Sequence, residues 1–87
     1  MKLKYRFIFQ PVGQRYIGTA VGDDARKFNG MLQLNGTGYR IVQLIQEGKS
    51  EEAIVEQMAN EYDGDHDLIA QSVGNVIAQL NSEGVLE

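Results

Sequence analysis

Three aspartates at alternating positions form the group of side chains that most resembles a metal site. Asp63, Asp65 and Asp67 have the spacing that opens a calcium-binding loop. Such a loop also needs a glycine at its sixth position and a bidentate glutamate at its twelfth. Those positions hold Leu68 and Gly74. We therefore interpret the aspartates as a turn followed by a helix cap, and we expect no bound metal.

Nucleophilic catalysis and phosphate binding both lack residues that they need. His66 is the single histidine, it lies in an acidic loop, and there is no cysteine. Gly36-Thr37-Gly38 precedes a predicted helix, as phosphate-binding loops do. It has neither the third glycine of GxGxxG nor a following Gly-Lys-Ser/Thr. The sequence therefore predicts a protein that is not an enzyme and that carries no cofactor.

Charge is divided unevenly along the 87 residues. Residues 1–46 hold seven basic and two acidic side chains (+5), whereas residues 47–87 hold one basic and ten acidic side chains (−9), which together give −4. One interpretation is a solvated acidic helical surface beside a sheet with scattered Lys and Arg. The other is a basic half that meets an acidic ligand.

Length indicates one small domain, residues 1–87. The absence of cysteine fits the reducing cytoplasm, where we expect the protein to be. No apolar run approaches the roughly 20 residues that a membrane-spanning helix requires. The first residues are basic and then apolar, like the front of a signal peptide, but Arg6 and Gln10 interrupt the apolar part. We interpret this segment as a strand.

Three strands are predicted in the first part of the chain. Aromatic residues alternate in the segment 5–9, and Pro11 places the end of that run at an edge or a bulge. Gly13-Gln14 suits a hairpin turn with glycine first, before a second strand over 16–21. The third strand is predicted over 28–34, with Phe28, Leu32 and Leu34 on one face. Met31 and Gln33 lie off that face, and we expect one of them to direct its amide outward.

Three helices follow, each with a candidate N-terminal cap residue whose side-chain oxygen can accept an unpaired amide hydrogen. The candidates are Asn35 or Thr37, then Ser50, then Asp65 or Asp67. Gly48 and Gly84 are expected to end the first and third helices. Val85-Leu86 can then fold back as a short apolar tail. Strands followed by helices indicate an α+β fold.

An ordered series of short motifs runs through residues 28–87. In chain order it comprises Phe28-Asn29-Gly30-Met31, Leu34-Asn35-Gly36-Thr37-Gly38, Leu44-Ile45, Gly48-Lys49-Ser50, Ile54-Val55, Glu61-Tyr62-Asp63, Leu80 and Gly84-Val85-Leu86. The series resembles the PqqD-like family, whose pattern has an LN-x-TG helix start, an LL-x-G-x-T break and a closing L-x-x-x-G-L-L. Ser72-Val73 and Val76-Ile77 stand where relatives often carry an Asp-Val and a Phe-Leu pair. The pathway, pyrroloquinoline quinone biosynthesis or another, therefore stays open.

The resemblance implies a winged-helix-like fold with a three-stranded antiparallel sheet. It also implies a RiPP recognition element, a chaperone that binds the leader segment of a ribosomally synthesised precursor peptide. Members deliver that peptide to a modifying enzyme, often a radical S-adenosylmethionine (radical SAM) enzyme. The leader is expected as an added strand against the third strand, with side chains in a groove beside the third helix.

The residues around that strand and helix are the expected peptide-binding residues. They are Arg26, Lys27, Phe28, Asn29, Gly30, Met31, Leu32 and Gln33, together with Leu68, Ser72, Asn75 and Gln79 of the third helix. An exposed sheet edge pairs readily with an extended peptide. Arg26 and Lys27 precede the strand and are expected to meet acidic leader residues.

Two alternatives remain open, a winged-helix DNA-binding protein and another protein-interaction module. DNA recognition needs basic or amide side chains that reach bases and phosphates. The third helix has Asp67 and Glu83 as its charges and no basic residue, and the second carries four glutamates. These surfaces would repel phosphate, so we expect no nucleic-acid partner. The oligomeric state is left open.

Overall fold

A computed structural model describes all residues from Met1 to Glu87. A three-stranded antiparallel sheet is followed by three helices, which confirms the predicted α+β class. The elements are β1 (Phe7–Val12), β2 (Arg15–Ala20), a short 3-10 helix (Gly22–Arg26), β3 (Met31–Asn35), α1 (Gly36–Gln46), α2 (Glu51–Glu61) and α3 (His66–Ser82). None of the three α-helices combines the length and apolarity that a membrane crossing requires.

The first strand is shifted along the chain relative to the prediction, because it begins at Phe7 rather than at Tyr5 and runs through Pro11 to Val12. β1 lies at one edge of the sheet, so the prediction of an edge position for Pro11 is confirmed. Gly13 and Gln14 form the turn to β2, and Gly13 takes a φ of +63° that favours glycine. Val12 and Arg15 pair across this turn.

The third strand begins later than predicted, at Met31 rather than at Phe28. Phe28 instead follows the 3-10 helix, and its amide donates to the Asp24 carbonyl over 3.1 Å. Its ring packs against Tyr5 and Phe7, with ring centres 6.0 and 5.5 Å apart. The apolar character of Phe28 therefore serves packing against the core, and the residue is not part of the strand.

Side-chain caps fix where the helices begin. Asn35 Oδ1 accepts the Gly38 amide over 2.7 Å, and Ser50 Oγ accepts the Ala53 amide over 3.1 Å. Asp65 Oδ1 accepts the Asp67 amide over 2.8 Å. Asn35 rather than Thr37 therefore caps α1, and Asp65 rather than Asp67 caps α3. Each cap residue directly precedes its helix.

Left-handed glycines mark the ends of two helices, as predicted. Gly48 has a φ of +86° and Gly84 a φ of +73°. After Gly84 the chain folds back, so that Val85 is fully buried and Leu86 bridges to Leu3. The Lys4 amide donates to the Val85 carbonyl over 2.8 Å. The predicted apolar tail therefore joins the two ends of the chain.

One hydrophobic cluster lies between the inner face of the sheet and the helices. Leu32 and Leu34 of β3, at 0% and 3% exposure, contribute the sheet side. Ile41 of α1, Ile54 of α2 and Val73 of α3 are each fully buried against it. No buried side-chain nitrogen or oxygen lacks a hydrogen-bond partner. The core therefore holds β3 and α3 in place beside each other without polar groups in its interior.

Candidate functional site

The direction of each backbone group in the sheet follows from the hairpin. Val12 and Arg15 close a two-residue turn, and further along the Val21 amide donates to the Arg6 carbonyl over 3.0 Å. Along an antiparallel strand, successive residues direct their N–H and C=O groups to opposite sides. The odd-numbered residues of β2 therefore bond to β1, and the even-numbered residues bond to β3.

The free edge of β3 presents the backbone groups of Met31 and Gln33. Tyr16 and Gly18 of β2 lie opposite Leu34 and Leu32, so the two leucines bond within the sheet. Met31 and Gln33 alternate with them and point away from β2, along an edge that no strand covers. The expectation that only one of the two amides points outward was wrong, because residues two apart in a strand share one direction.

The opposite edge, on β1, is less suited to pairing. By the same alternation Pro11 directs its backbone nitrogen outward, and proline has no amide hydrogen to donate. Pro11 lies opposite Tyr16, at a position where the pairing of β1 with β2 needs no amide hydrogen from β1. Of the two sheet edges, only β3 therefore carries an uninterrupted row of donors and acceptors.

A polar cleft of about 590 Å³ lies between β3 and α3. Its lining is mainly amide and other polar side chains from the hairpin turn, the end of β3, the start of α1 and the second half of α3. These residues are Gln14, Arg15, Gln33, Leu34, Asn35, Gly38, Val76 and Gln79. The cleft is thus open to an extended chain that lies along β3.

A second, apolar pocket of about 220 Å³ lies at the N-terminal end of α3. It is lined by Thr37 and Ile41 of α1, Met58 of α2, the loop residues Tyr62, Asp63, Gly64 and Asp65, and Leu68, Ile69, Ser72 and Val73 of α3. Its floor is the core itself, because Ile41 and Val73 are fully buried. Its rim exposes Tyr62 at 43% and Leu68 at 63%.

The site residues that were predicted on α3 lie along one exposed face of that helix. Leu68, Ser72, Asn75 and Gln79 follow a helical spacing that places them on one face, and all four are exposed. Leu68 and Ser72 line the apolar pocket, and Gln79 lines the polar cleft together with Gln33 of β3. Asn75 lies on the helix surface between the two.

The residues that precede β3 are placed differently. Arg26 ends the 3-10 helix, and Lys27 lies beside Asp24 with Nζ and Oδ1 3.9 Å apart. Phe28 is half-buried among aromatic rings, whereas Asn29 and Gly30 are exposed. None of these residues lines either cavity, so the cleft and the pocket do not include this part of the predicted site.

Sequence reasoning did not assign several of the lining residues to the site, and two groups of them come from connecting segments. Gln14 and Arg15 reach the cleft because Arg15 pairs with Asn35 at the end of β3, and Tyr62 to Asp65 line the pocket. The one available signal was Tyr62, an aromatic residue directly before an acidic break between helices. The positions of Gln14 and Arg15 depend on strand pairing, which a local pattern does not determine.

An ion pair between α1 and α2 lies next to the apolar pocket in the sequence. Arg40 Nη2 and Nε donate to Glu61, with the shortest distance 2.6 Å, and Gln57 Nε2 donates to the same carboxylate over 2.8 Å. The hydrogen bond from Arg40, which has the largest effect, and the hydrogen bond from Gln57 lower the pKa of Glu61 to about 2. The pKa of Arg40 is raised in turn by Glu61. The pair holds the end of α2 against α1, directly before Tyr62.

The chemistry of the site is that of binding surfaces. No three His, Cys, Asp or Glu side chains converge as a metal site. The free backbone row of β3, the polar cleft and the apolar pocket offer hydrogen bonds and apolar contact to an extended chain.

The model of the family described as "Coenzyme PQQ synthesis protein D (PqqD)" matches residues 10–86. The chain belongs to the PqqD family. The predicted PqqD-like resemblance is confirmed, and the match also includes the second half of β1 and all of β2, which precede the series of sequence motifs.

A solved structure shows the same fold. It is described as "TbiB1 in Complex with the TbiA(beta) Leader Peptide" and aligns with a TM-score of 0.77. The alignment covers 100% of this chain and 95% of that one, at 22% sequence identity. No curated protein matches the sequence significantly.

Proposed function

We propose that this PqqD-family protein binds the leader segment of a ribosomally synthesised precursor peptide as a fourth strand on β3. The observation that carries the proposal is the outward direction of the Met31 and Gln33 backbone groups along an uncovered edge. The family membership supports it, and so does the fold shared with TbiB1, which is described in complex with a leader peptide.

The edge provides enough hydrogen bonds for measurable affinity. Met31 and Gln33 together present two N–H and two C=O groups to an added strand. At roughly 0.5–1.5 kcal/mol net per hydrogen bond, these contribute about 2–6 kcal/mol before the cost of ordering the peptide. Leader residues opposite Leu32 and Leu34 would direct their side chains to the inner face, into the cleft beside α3.

The remaining predicted residues would extend the contact at both ends of the edge. Leu68, Ser72, Asn75 and Gln79 would meet side chains of the leader along α3. Arg26 and Lys27, both exposed, would attract acidic leader residues beyond Met31. Asn29 and Gly30, which are exposed, would leave the edge of β3 accessible to the peptide.

A bound leader would be presented to a modifying enzyme, which for this family we propose to be of the radical SAM type, in the cytoplasm. The binding protein itself would supply position and orientation and no chemistry. The part of the precursor that follows the leader would stay outside the cleft. It would therefore remain accessible to the enzyme.

Proline substitution at the edge tests strand addition. Proline removes an amide donor without emptying the core, so Met31→Pro and Gln33→Pro should each weaken binding about tenfold or more, or about 1.4 kcal/mol. The probe is a synthetic leader peptide from the precursor gene that neighbours this one, and the measurement is titration calorimetry. Met31→Thr is the matched control, because it keeps the amide and its side chain lies on the outer face.

The folded state is checked by thermal unfolding. Both proline variants should lose much less stability than Leu32→Ala, which leaves a cavity in the core at a cost of about 2–5 kcal/mol. If both proline variants stay folded and bind the leader as tightly as Met31→Thr does, the peptide does not bind as a fourth strand.

A further inference from the structure

The apolar pocket at the start of α3 opens between exposed apolar side chains and has core residues at its floor. Leu68, at 63% exposure, and Tyr62, at 43%, lie at its rim. Beneath them lie Ile41 and Val73, both fully buried, and Met58, at 2% exposure. An apolar group placed in this opening would be shielded from water by the surrounding side chains, which favours its binding.

The size of the pocket fits one large side chain. Its volume is about 220 Å³, and an apolar cavity of about 150 Å³ is enough to hold benzene. A leucine or phenylalanine side chain therefore fits.

The charge at the rim is negative and has no basic partner. Asp63 and Asp65 both line the pocket, and no Lys or Arg lies within ion-pair distance of either. Glu61, two residues before Asp63, is already paired with Arg40. The rim therefore favours a ligand that carries a positive charge next to its apolar group.

The pocket lies within reach of a peptide bound on β3. Leu68 lines the pocket and Gln79 lines the polar cleft beside β3. Eleven residues of helix at 1.5 Å each separate them by about 16 Å. An extended chain covers that distance in about five residues, at about 3.3 Å per residue. Ser72 and Asn75 form the exposed surface between the two cavities.

We infer that the apolar pocket is a second recognition site for the leader and that it takes a leucine- or phenylalanine-sized side chain with an adjacent Lys or Arg. This inference rests on the proposed function, and it specifies which leader residues are selected. The anchoring side chain lies about five residues from the segment that pairs with Gln33. The adjacent basic side chain lies against Asp63 and Asp65.

A display library of random 15-residue peptides, selected on the wild-type protein, tests the inference. Enriched peptides should share a large apolar residue beside Lys or Arg, at one fixed distance from an extended segment. A selected peptide is then titrated against variants. Ser72→Leu fills the pocket and should weaken binding at least tenfold, whereas Ser82→Leu, at the exposed end of α3, should not.

Charge is tested separately. Asp63→Asn should weaken binding about two- to fivefold at low salt and less at high salt, and Glu83→Gln is the matched control at an exposed site outside both cavities. If Ser72→Leu and Asp63→Asn bind like their controls while Gln33→Pro loses affinity, the pocket inference is wrong and strand addition stands. If Gln33→Pro also retains affinity, or if no peptide is enriched, the proposed function itself fails.

Discussion

Gly18 occupies a position that admits no side chain. It is buried on β2 opposite Phe9 of β1. A Cβ atom at Gly18 would lie 2.3 Å from Cε1 of the Phe9 ring. That ring cannot move freely, because it packs against Phe7 and Tyr39 with ring centres 5.9 and 5.3 Å apart. Because Gly18 has no side chain, the Phe9 ring can pack against the sheet at this position.

We expect Gly18→Ala to destabilise the protein by about 1–3 kcal/mol, the usual cost of forcing extra volume into a packed core. Denaturant unfolding measures the change in the free energy of unfolding. Gly36→Ala is the matched control, because nothing lies within 4 Å of a Cβ atom at that helical glycine. A Gly18→Ala variant as stable as Gly36→Ala would contradict the assigned packing.

At the scale of elements, the two interactions that decide the shape of the site differ in kind. Strand pairing directs the backbone groups of β3 outward, whereas an ion pair joins α1 to the end of α2. Arg40 and Glu61 are 21 positions apart in the sequence and meet only because the two helices pack together. Glu61 directly precedes Tyr62, which lies at the rim of the apolar pocket.

The stability contributed by the Glu61 contact should depend on pH. The pKa of Glu61 is lowered from 4.5 to about 2 in the folded state. Its contribution is therefore fully present above about pH 4.5 and is lost as the pH falls towards 2. The difference in unfolding free energy between the wild type and Glu61→Gln should shrink over that interval. A carboxyl of Glu61 that titrates near 4.5 by NMR would contradict this contact.

Much of the element order was predictable, because the signals were local. Ser50 and the glycines Gly48 and Gly84 marked helix ends by residue type alone. The start of β3 was not predictable in this way, because Phe28 has the apolar character of a strand residue but contacts Tyr5 and Phe7, which are distant in the sequence. Tertiary packing, rather than period-two alternation, decided its place.

The candidate site was predictable in part for the same reason. Helical spacing correctly placed Leu68, Ser72 and Gln79 on one face of α3. The direction of the Met31 amide could not be predicted from the neighbouring residues alone, because it depends on the register of β2 with both β1 and β3. The rim residue Asp63 was interpreted only as part of a turn, since its contribution to a pocket required three helices to meet.

At the scale of the whole molecule, charge is divided between the part of the chain with the sheet and α1 and the part with α2 and α3. The chain has +5 in residues 1–46 and −9 in residues 47–87. α3 contains no Lys or Arg, and four glutamates lie on α2. A helical surface of this kind repels phosphate, which disfavours a winged-helix mode of DNA binding. The uncovered β3 edge beside α3 therefore remains the surface on which the proposed peptide binding would take place.

Amide hydrogen exchange on β3 tests the central claim most directly. In the free protein, the Met31 and Gln33 amides should exchange quickly, because they point to solvent, while those of Leu32 and Leu34 are protected by β2. At saturating leader peptide, Met31 and Gln33 should slow at least about tenfold, as expected for hydrogen bonds of about 1.4 kcal/mol or more. Saturated binding that leaves both exchange rates unchanged would contradict strand addition.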